Sequence, residues 1–580
     1  PGSNAAPDTG GVNLDFGNVI QNNRQMQVNN TFNFNALYNK VPYFKKALNQ
    51  NKGAGNRRRR PDILRRPGEN SNSENSNKED KEEEDEPTVF DKILQESTKV
   101  LLMVKNGAFT YTQSNGQVLP GFDASPELFG LDNSGGGFAP GFWFTMGGQT
   151  DIRNESAQNN WLVRNPDLNN QYSRTENINY NYRLTAEPLN SLRVIITGQK
   201  NETTSASEFY RWNDSLQNPN LDITDLGYWE SQNAFQNQTY SISYNMIGTS
   251  FQDLQAPEYN SAIYDEFREN RLTVSRRLAD NLERTGSAGG ISVEGYSADL
   301  VGNPDSSNYG YRYYSVSSQE VLIPAFLAAY SGQNASNIGL NPRRNTPLPN
   351  WQINYDGLSK IKFFKKYFNS FTLNHSYRST YTIGNSSTNL LREKELQDFP
   401  GVVPVDNNGD ILPQNQITTV SLSEQFSPLI GFNTKLKNNT TIRIEYKQDR
   451  NITLSLTNNQ ITETYGNEWV ISGGYIIQDV KLKFIKVGAR RTSPVSNLEL
   501  RADVGIRDNV TLIRRIIEDA TQATAGQTIT TVKLSADYQI SDRIQAKLFY
   551  DLNRSVFKTS NAFPLTTHQF GISVRLNLGR

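Results

Sequence analysis

The chain has 580 residues, with 59 Lys plus Arg against 59 Asp plus Glu, no Cys, 2 His, 27 Tyr and 28 Phe. Without Cys there are no disulfides, no thiol catalysis and no Cys-based zinc or iron–sulfur sites, and the distant pair His375 and His568 forms no His-rich metal cluster. Zero net charge argues against a nucleic-acid partner drawn by bulk electrostatics. No apolar run approaches the roughly 18 residues that a transmembrane helix needs. A membrane β-barrel stays open, because its strands are apolar on one face only. The opening Pro1-Gly2-Ser3-Asn4 lacks an initiator Met, a basic start and an apolar stretch, so the chain reads as a mature or internal piece of a longer protein.

Along the chain, alternation dominates. Met26, Val28, Phe32, Phe34 and Tyr38 alternate with Gln27, Asn29, Thr31, Asn33 and Asn35. Period two predicts a strand with one apolar and one polar face. Residues 49–87 are of low complexity, with a basic block at Arg57–Arg60 and a nearly all-acidic run at Glu79–Glu86. This stretch carries too little apolar surface to order itself, and its two charge blocks neutralise each other. A short helix at 88–97 is expected to lead back to the sheet. Ile178, Tyr180, Tyr182 and Leu184 then alternate with Asn177, Asn179, Asn181 and Arg183, and Tyr240, Ile242 and Tyr244 with Ser241, Ser243 and Asn245. The pattern returns at Phe371–Tyr377, Val532–Tyr538, Ile544–Tyr550 and Phe570–Leu578.

Fourteen strands are predicted: 25–38, 98–112, 176–188, 191–204, 237–248, 350–358, 370–384, 416–434, 440–457, 465–481, 496–515, 527–539, 543–557 and 566–578. A soluble sheet with one wet face would also alternate. Two features favour an all-β fold of the transmembrane antiparallel β-barrel kind, with short helices in its loops. Many segments reach the roughly 10 residues of a tilted membrane strand, and short turns (188–191, 437–439, 540–542) contrast with long loops (113–174, 385–414). The expected organisation is a strand region at 1–38, a periplasmic loop with a disordered charged segment at 39–97, strands with a long extracellular loop at 98–248, a partly helical loop or cap at 249–349, and C-terminal strands at 350–580.

One conflict arises. Lys360–Asn369 repeats Lys40–Asn49 with five of ten positions identical, which predicts that both basic turns lie on the short-turn, periplasmic side. Up-down parity puts 359–369 on the other side. Either a strand hides in 249–349, near Tyr309–Val316, or one of the fourteen is false.

No catalytic, metal-binding or cofactor-binding constellation emerges, so no enzyme activity and no cofactor are expected. Asp406-Asn407-Asn408-Gly409-Asp410 imitates a calcium loop, but its twelfth position is Ile417 rather than Glu. Gly135–Gly137 is followed by no P-loop residue. His375 has no carboxylate beside it and reads as a packed or interfacial side chain. The loops are unusual instead for apolar content. Ala139–Gly147 includes Pro140, Phe142 and Trp143, and Ser318–Tyr330, read as a short helix, includes Leu322, Pro324 and Phe326. Such segments should fold into a cap, a lumen or a partner.

These residues carry a family resemblance. Leu119-Pro120-Gly121-Phe122, Ala139–Phe144, Val321–Gly332, Pro347–Trp351, Tyr355–Leu358 and Leu373–Ser379 resemble the C-terminal part of the SprA (Sov) family, the very large outer-membrane translocons of the type IX secretion system, tied to gliding motility. The likeness runs from about residue 90 to the end. It implies that the chain is part of the wall of a very large barrel in the cell outer membrane, a channel passing folded cargo with C-terminal sorting domains. It implies as partners the N-terminal remainder of the same barrel, a PorV-type barrel, a periplasmic plug protein, small accessory proteins and outer-membrane lipid, with no nucleic acid. Asn177, Asn179, Asn181, Arg183, Ser241, Ser243 and Asn245 would then line the lumen. The ending Leu576–Arg580 lacks the terminal aromatic residue common in bacterial barrels. Alternatives are another large barrel, such as a nutrient transporter, or a secreted β-rich adhesin.

Overall fold

The computed structural model describes residues 15–42, 44, 102–125, 127–132, 138–213, 227–252, 258–288, 290–293, 295–304, 306–481, 495–541, 543–559 and 562–577. The expectations for 49–87, for the helix at 88–97 and for Gly135–Gly137 lie outside them.

Fourteen strands form one antiparallel sheet. They are β1 (Asn18–Asn33), β2 (Val104–Phe122), β3 (Tyr172–Leu189), β4 (Leu192–Asn213), β5 (Tyr228–Ser243), β6 (Asn350–Tyr355) and β7 (Phe368–Thr388). They continue as β8 (Asn415–Leu436), β9 (Thr440–Ser455), β10 (Gln460–Lys481), β11 (Val495–Arg515), β12 (Ala520–Ser541), β13 (Ile544–Phe557) and β14 (Leu565–Leu576). Each predicted segment overlaps one of these strands. Several are longer than the alternation suggested: β4 and β10 have 22 residues each. At about 3.3 Å per residue that is roughly 70 Å of strand, about twice what crosses hydrocarbon.

Register explains the shortfall. One face of the sheet is apolar over half of each strand, with Met26, Val28, Phe32, Ile430, Trp469, Ile471, Leu534, Phe570 and Ile572 all exposed. Toward the opposite end the same face carries Glu176, Glu202, Glu424, Arg450, Glu463 and Arg514. Between these charges the face stays apolar, at Val420, Leu422, Ile452 and Leu454. The strand ends that alternation missed, such as 113–117 and 520–526, carry polar or small residues on both faces, so no contrast marks them.

The sheet has thirteen positions, because β5 and β6 share one. β5 pairs with β4 over Lys200–Asn213, and β6 with Leu192–Thr197 of the same strand. On the other flank β5 pairs with Thr380–Ser387 of β7, and β6 with Leu373–Tyr377. The chain leaves the sheet after Ser243 and re-enters it at Asn350, running in the same direction. Side chains close the seam: Ser243 Oγ accepts the Gln199 N–H (3.0 Å) and an Asn350 Nδ2 hydrogen (3.2 Å), and Asn350 Oδ1 accepts the Ser379 N–H (2.8 Å).

This arrangement resolves the parity conflict. The two predicted strands 237–248 and 350–358 are halves of a single pass. Tyr309–Val316 hides no wall strand, since its residues 310–311 and 314–315 belong to a small separate sheet. The segment after β6 therefore returns to the end where Asn190-Ser191 turns, and the Asp356 N–H donates to the Ser191 carbonyl (3.0 Å). The basic helix at Lys362–Tyr367 lies at that end, as its sequence suggested. The short-versus-long contrast of connections is not general: 456–459 and 516–519 are tight turns at the loop end. Among the described residues β1 and β14 are free edges, and the sheet does not close on itself.

An Asn350→Leu substitution should leave the Ser379 N–H buried without an acceptor, at a cost of about 1–3 kcal/mol. Hydrogen exchange should then accelerate at Ser379 while the β9–β10 amides stay protected.

Candidate functional site: a two-faced wall and its docked insertion

On the polar face, Asn177, Asn179, Asn181 and Arg183 alternate along β3 and are exposed. Thr110 and Thr112 of β2 flank them on one side, Gln199 and Asn201 of β4 on the other. Ser241 shares this face and accepts a hydrogen bond from Thr382 Oγ1 (3.3 Å). Two predicted lumen residues are placed otherwise. Ser243 is buried in the seam, where its hydroxyl replaces a missing strand neighbour. Asn245 lies beyond the end of β5, where its Oδ1 accepts the Ile247 N–H (3.0 Å). Sequence reading also missed half of this face. From β9 to β11 it carries opposed charges that pair with each other: Arg443–Glu445 (2.7 Å), Lys447–Glu468 (3.5 Å), Arg507–Asp449 (3.1 Å) and Arg501–Glu499 (2.7 Å). The signal was there in the odd positions 443–449 and 499–507. Glu445 is buried, its side chain 4% exposed, while the other groups are partly or largely exposed, where such pairs contribute little stability. Together they leave the face without a single-sign field.

The residues between β5 and β6 fold back onto the other face. In the β2–β3 connection lie α1 (Phe142–Thr145) and α2 (Arg153–Gln158), and in the insertion α3 (Ala262–Thr285) and α4 (Gln319–Ser331). Ser261 caps α3, its hydroxyl accepting the Tyr264 N–H (3.1 Å), and left-handed Gly286 ends it. The stripe Tyr264, Phe267, Val274 and Leu282 is buried. In α4 every residue from Val321 to Ser331 is buried, as expected of a helix apolar all round. It lies in one core with α3 and with Ile383, Val420, Leu422, Ile452 and Leu454 of the wall. Leu322, Pro324 and Phe326 are thus committed to the chain's own core and offer no surface to a partner.

Two buried ion pairs fix this docking. Arg450 and Glu424 meet at 2.6 Å with side chains 3% and 2% exposed. Arg450 also donates to the carbonyls of Met246 (3.0 Å) and Thr249 (2.7 Å), and Glu424 accepts from Ser250 Oγ (2.8 Å). Arg514 and Glu463 meet at 2.8 Å, 1% and 0% exposed. Arg514 reaches the Tyr259 carbonyl (3.0 Å), and Glu463 accepts from the Tyr330 hydroxyl of α4. Each wall pair thus bonds to the insertion as well as to itself.

The β2–β3 connection covers the same face beside β1. Phe144 packs with Leu119, Ile152, Leu162, Tyr172 and Tyr210, and Pro140 is buried. Phe142 and Trp143 remain exposed at 63% and 66%. His375 is packed on the apolar face: Nε2 accepts from Trp351 Nε1 (3.1 Å) and Nδ1 donates to the Leu429 carbonyl (2.7 Å). Asp406 folds onto its own turn, accepting the N–H groups of Asn408 (2.8 Å) and Asp410 (2.9 Å). Asp410 is engaged by the Ser315 N–H (2.6 Å). Among the described residues no group of three His, Asp or Glu could hold a metal ion.

No family model and no curated protein matches the chain. Among solved structures it is similar to OmpT (in-vitro folded), an outer membrane protein of Vibrio cholerae in its trimer form. That overlap covers 69% of this chain and 91% of the other, at 9% identity and a TM-score of 0.17. Nothing functional rests on so low a score.

Replacing Arg514 by Met should destabilise the docked insertion by about 3–5 kcal/mol, because Glu463 is left as a buried unpaired charge. Limited proteolysis within α3 of the folded protein should report the loosening, and adding Glu463→Leu should recover much of it. Acidity should act in the opposite sense. Burial pushes the Glu320 carboxyl up to about 7; Asp410 and Asp406 add to the rise, while its own backbone N–H and Arg392 oppose it. The folded state then binds the proton more tightly than the unfolded state. Its stabilisation is complete below the usual carboxylate range and is lost as pH rises through about 7. Protection factors at residues 316–322, corrected for the intrinsic pH dependence of amide exchange, should fall between pH 5 and 8, and Glu320→Gln should remove that fall.

Proposed function

We propose that this chain forms part of the wall of a large outer-membrane β-barrel that conducts proteins, of the kind used in type IX secretion. The observation that carries this reading is the sheet itself: among the described residues it has thirteen positions, one face with an exposed apolar band, one polar face, and two free edges. A secreted adhesin would leave that apolar face in water, where exposed patches of such extent are not tolerated. In hydrocarbon the same face is matched to its surroundings, but free edges are not, so further strands must complete the ring. They would come from the N-terminal remainder of the barrel. Diameter grows with strand number, so a wall of which this chain supplies only a part encloses a wide lumen. The end bearing Asn190-Ser191 would face the periplasm and the opposite end the cell surface.

A conduit for many cargoes should grip none of them. The amide- and hydroxyl-rich part around Asn177, Asn179 and Asn181 meets that requirement by being neutral, and the part around Glu445 and Arg507 by self-neutralisation. A PorV-type barrel, a periplasmic plug and small accessory proteins would complete the assembly. Side chains of this kind suit a passage rather than an enzyme.

Deletion of the gene should leave proteins with C-terminal sorting domains trapped in the periplasm. Normal secretion combined with lost uptake of one nutrient would favour a transporter instead. In the intact protein, changing Asn177, Asn179 and Asn181 together to Lys should slow secretion several-fold without lowering the amount in the outer membrane; unchanged secretion of all cargo counts against a lumen-lining role.

A further inference from the structure

The wall explains most exposed apolar side chains, but not those of α1. This four-residue helix turns Phe144 into the core and leaves Phe142, Trp143 and Met146 exposed at 63%, 66% and 66%. Its seat is well defined. Asn22 of β1 donates through Nδ2 to the carbonyls of Phe144 (2.9 Å) and Gly148 (2.8 Å), and Gln149 donates back to Asn22 Oδ1 (2.7 Å). Gly148 lies directly against the indole: a Cβ there would stand 2.4 Å from Trp143 Cδ1. Glycine at 148 therefore lets the ring lie close to the backbone, held in place yet open on its outer side.

Position along β1 says what covers it. Asn22 is on the same strand face as Met26, Val28 and Phe32, the exposed apolar residues of this strand. The seat is four residues, or about 13 Å, from Met26 toward the loop end. The aromatic patch thus continues the apolar face at its upper margin. The foot of the large insertion repeats the arrangement: Phe251, 63% exposed, stacks on Phe426 at 5.5 Å, and Phe426 lies on the strand face that continues to Ile430 and Phe432. Two unrelated loop segments each set an exposed aromatic side chain beside the apolar face.

We infer that α1 is an interfacial anchor, with Phe142, Trp143 and Met146 seated at the boundary between headgroups and acyl chains of the outer leaflet. The inference rests on the membrane reading of the apolar face. Amphipathic indoles favour that boundary, where one edge is apolar and the other wet. The anchor ties the β2–β3 connection to the membrane surface and fixes the depth of the wall beside its β1 edge.

These 580 residues have no Cys, so with any Cys in the remainder of the barrel replaced by Ser, Trp143→Cys or Met146→Cys gives a single thiol for a fluorescent label. The labelled intact protein is reconstituted in phosphatidylcholine vesicles carrying nitroxide either on the headgroup or deep in the acyl chain, with Ile572→Cys as the reference. Labels at 143 and 146 should be quenched several-fold more by the headgroup nitroxide, and the label at 572 more by the deep one. Deep quenching at 572 with none at 143 or 146 overturns the anchor and assigns the patch to a protein partner or to water. Absence of quenching at 572 overturns the membrane reading itself, and the anchor with it. Should Trp143→Cys disturb the fold, the Met146 variant, whose side chain is largely free, separates the same outcomes.

Discussion

The structure depends on filling a gap one strand wide between β4 and β7. Both strands present a full row of N–H and C=O groups to that gap, and buried backbone groups must be paired. The chain supplies the partner in two pieces, β5 and β6, with residues 244–349 between them. Hydrogen bonds decide the rest. Because both pieces run in one direction, they count as one crossing, and every later connection is assigned to its end of the sheet accordingly. Because the interruption lies within the strand, the insertion emerges from the middle of the wall and not from its rim. Ser243, Asn350 and Ser379 hold the seam where regular pairing is broken.

Where the insertion settles follows from charge. The wall offers it two Arg–Glu pairs, Arg450–Glu424 and Arg514–Glu463, on a face otherwise occupied by Val420, Leu422, Ile452 and Leu454. Burying such pairs gains little net stability compared with apolar residues of the same size. What they impose is position. An insertion shifted by one residue pair along the strands would bury the same apolar area yet leave carboxylates and guanidinium groups without the Met246, Thr249, Tyr259 and Tyr330 contacts. The apolar core of α4 supplies attraction, and the ion pairs select one placement.

Legibility in the sequence followed the same physics. Strands were visible wherever one face meets an apolar medium and the other water, as at Ile178–Ala186 or Phe570–Leu576. They faded at strand ends such as 113–117 and 520–526, where both faces carry polar or small residues. The helix at Ser318–Tyr330 was readable from its composition, but its place was not, since an all-round apolar helix says only that it is buried. The lumen candidates along β3 were placed on one exposed polar face, as their spacing required. Ser243 and Asn245 were misplaced because alternation cannot reveal where a strand is interrupted. The half-strand boundary has no local signature: it is created by the partners β4 and β7, which are distant in sequence.

The same geometry bears on the proposed channel. In many barrels the segments that fold onto the wall occupy its interior and narrow it. Here the docked helices α3 and α4 lie on the face that carries the apolar band, and so does the connection holding α1 and α2. Among the described residues, the polar face is left to strand side chains alone over β3 and over β9 to β11. With the apolar band on the lipid side, α3 and α4 stand outside the barrel, above the membrane, and buttress strands about twice as long as the bilayer demands. Tall strands, external bracing and a polar face without an intruding segment are mutually dependent. In the proposed channel a wide ring could not be supported from its centre while that centre stays free, so its rigidity would come from the outside of the wall.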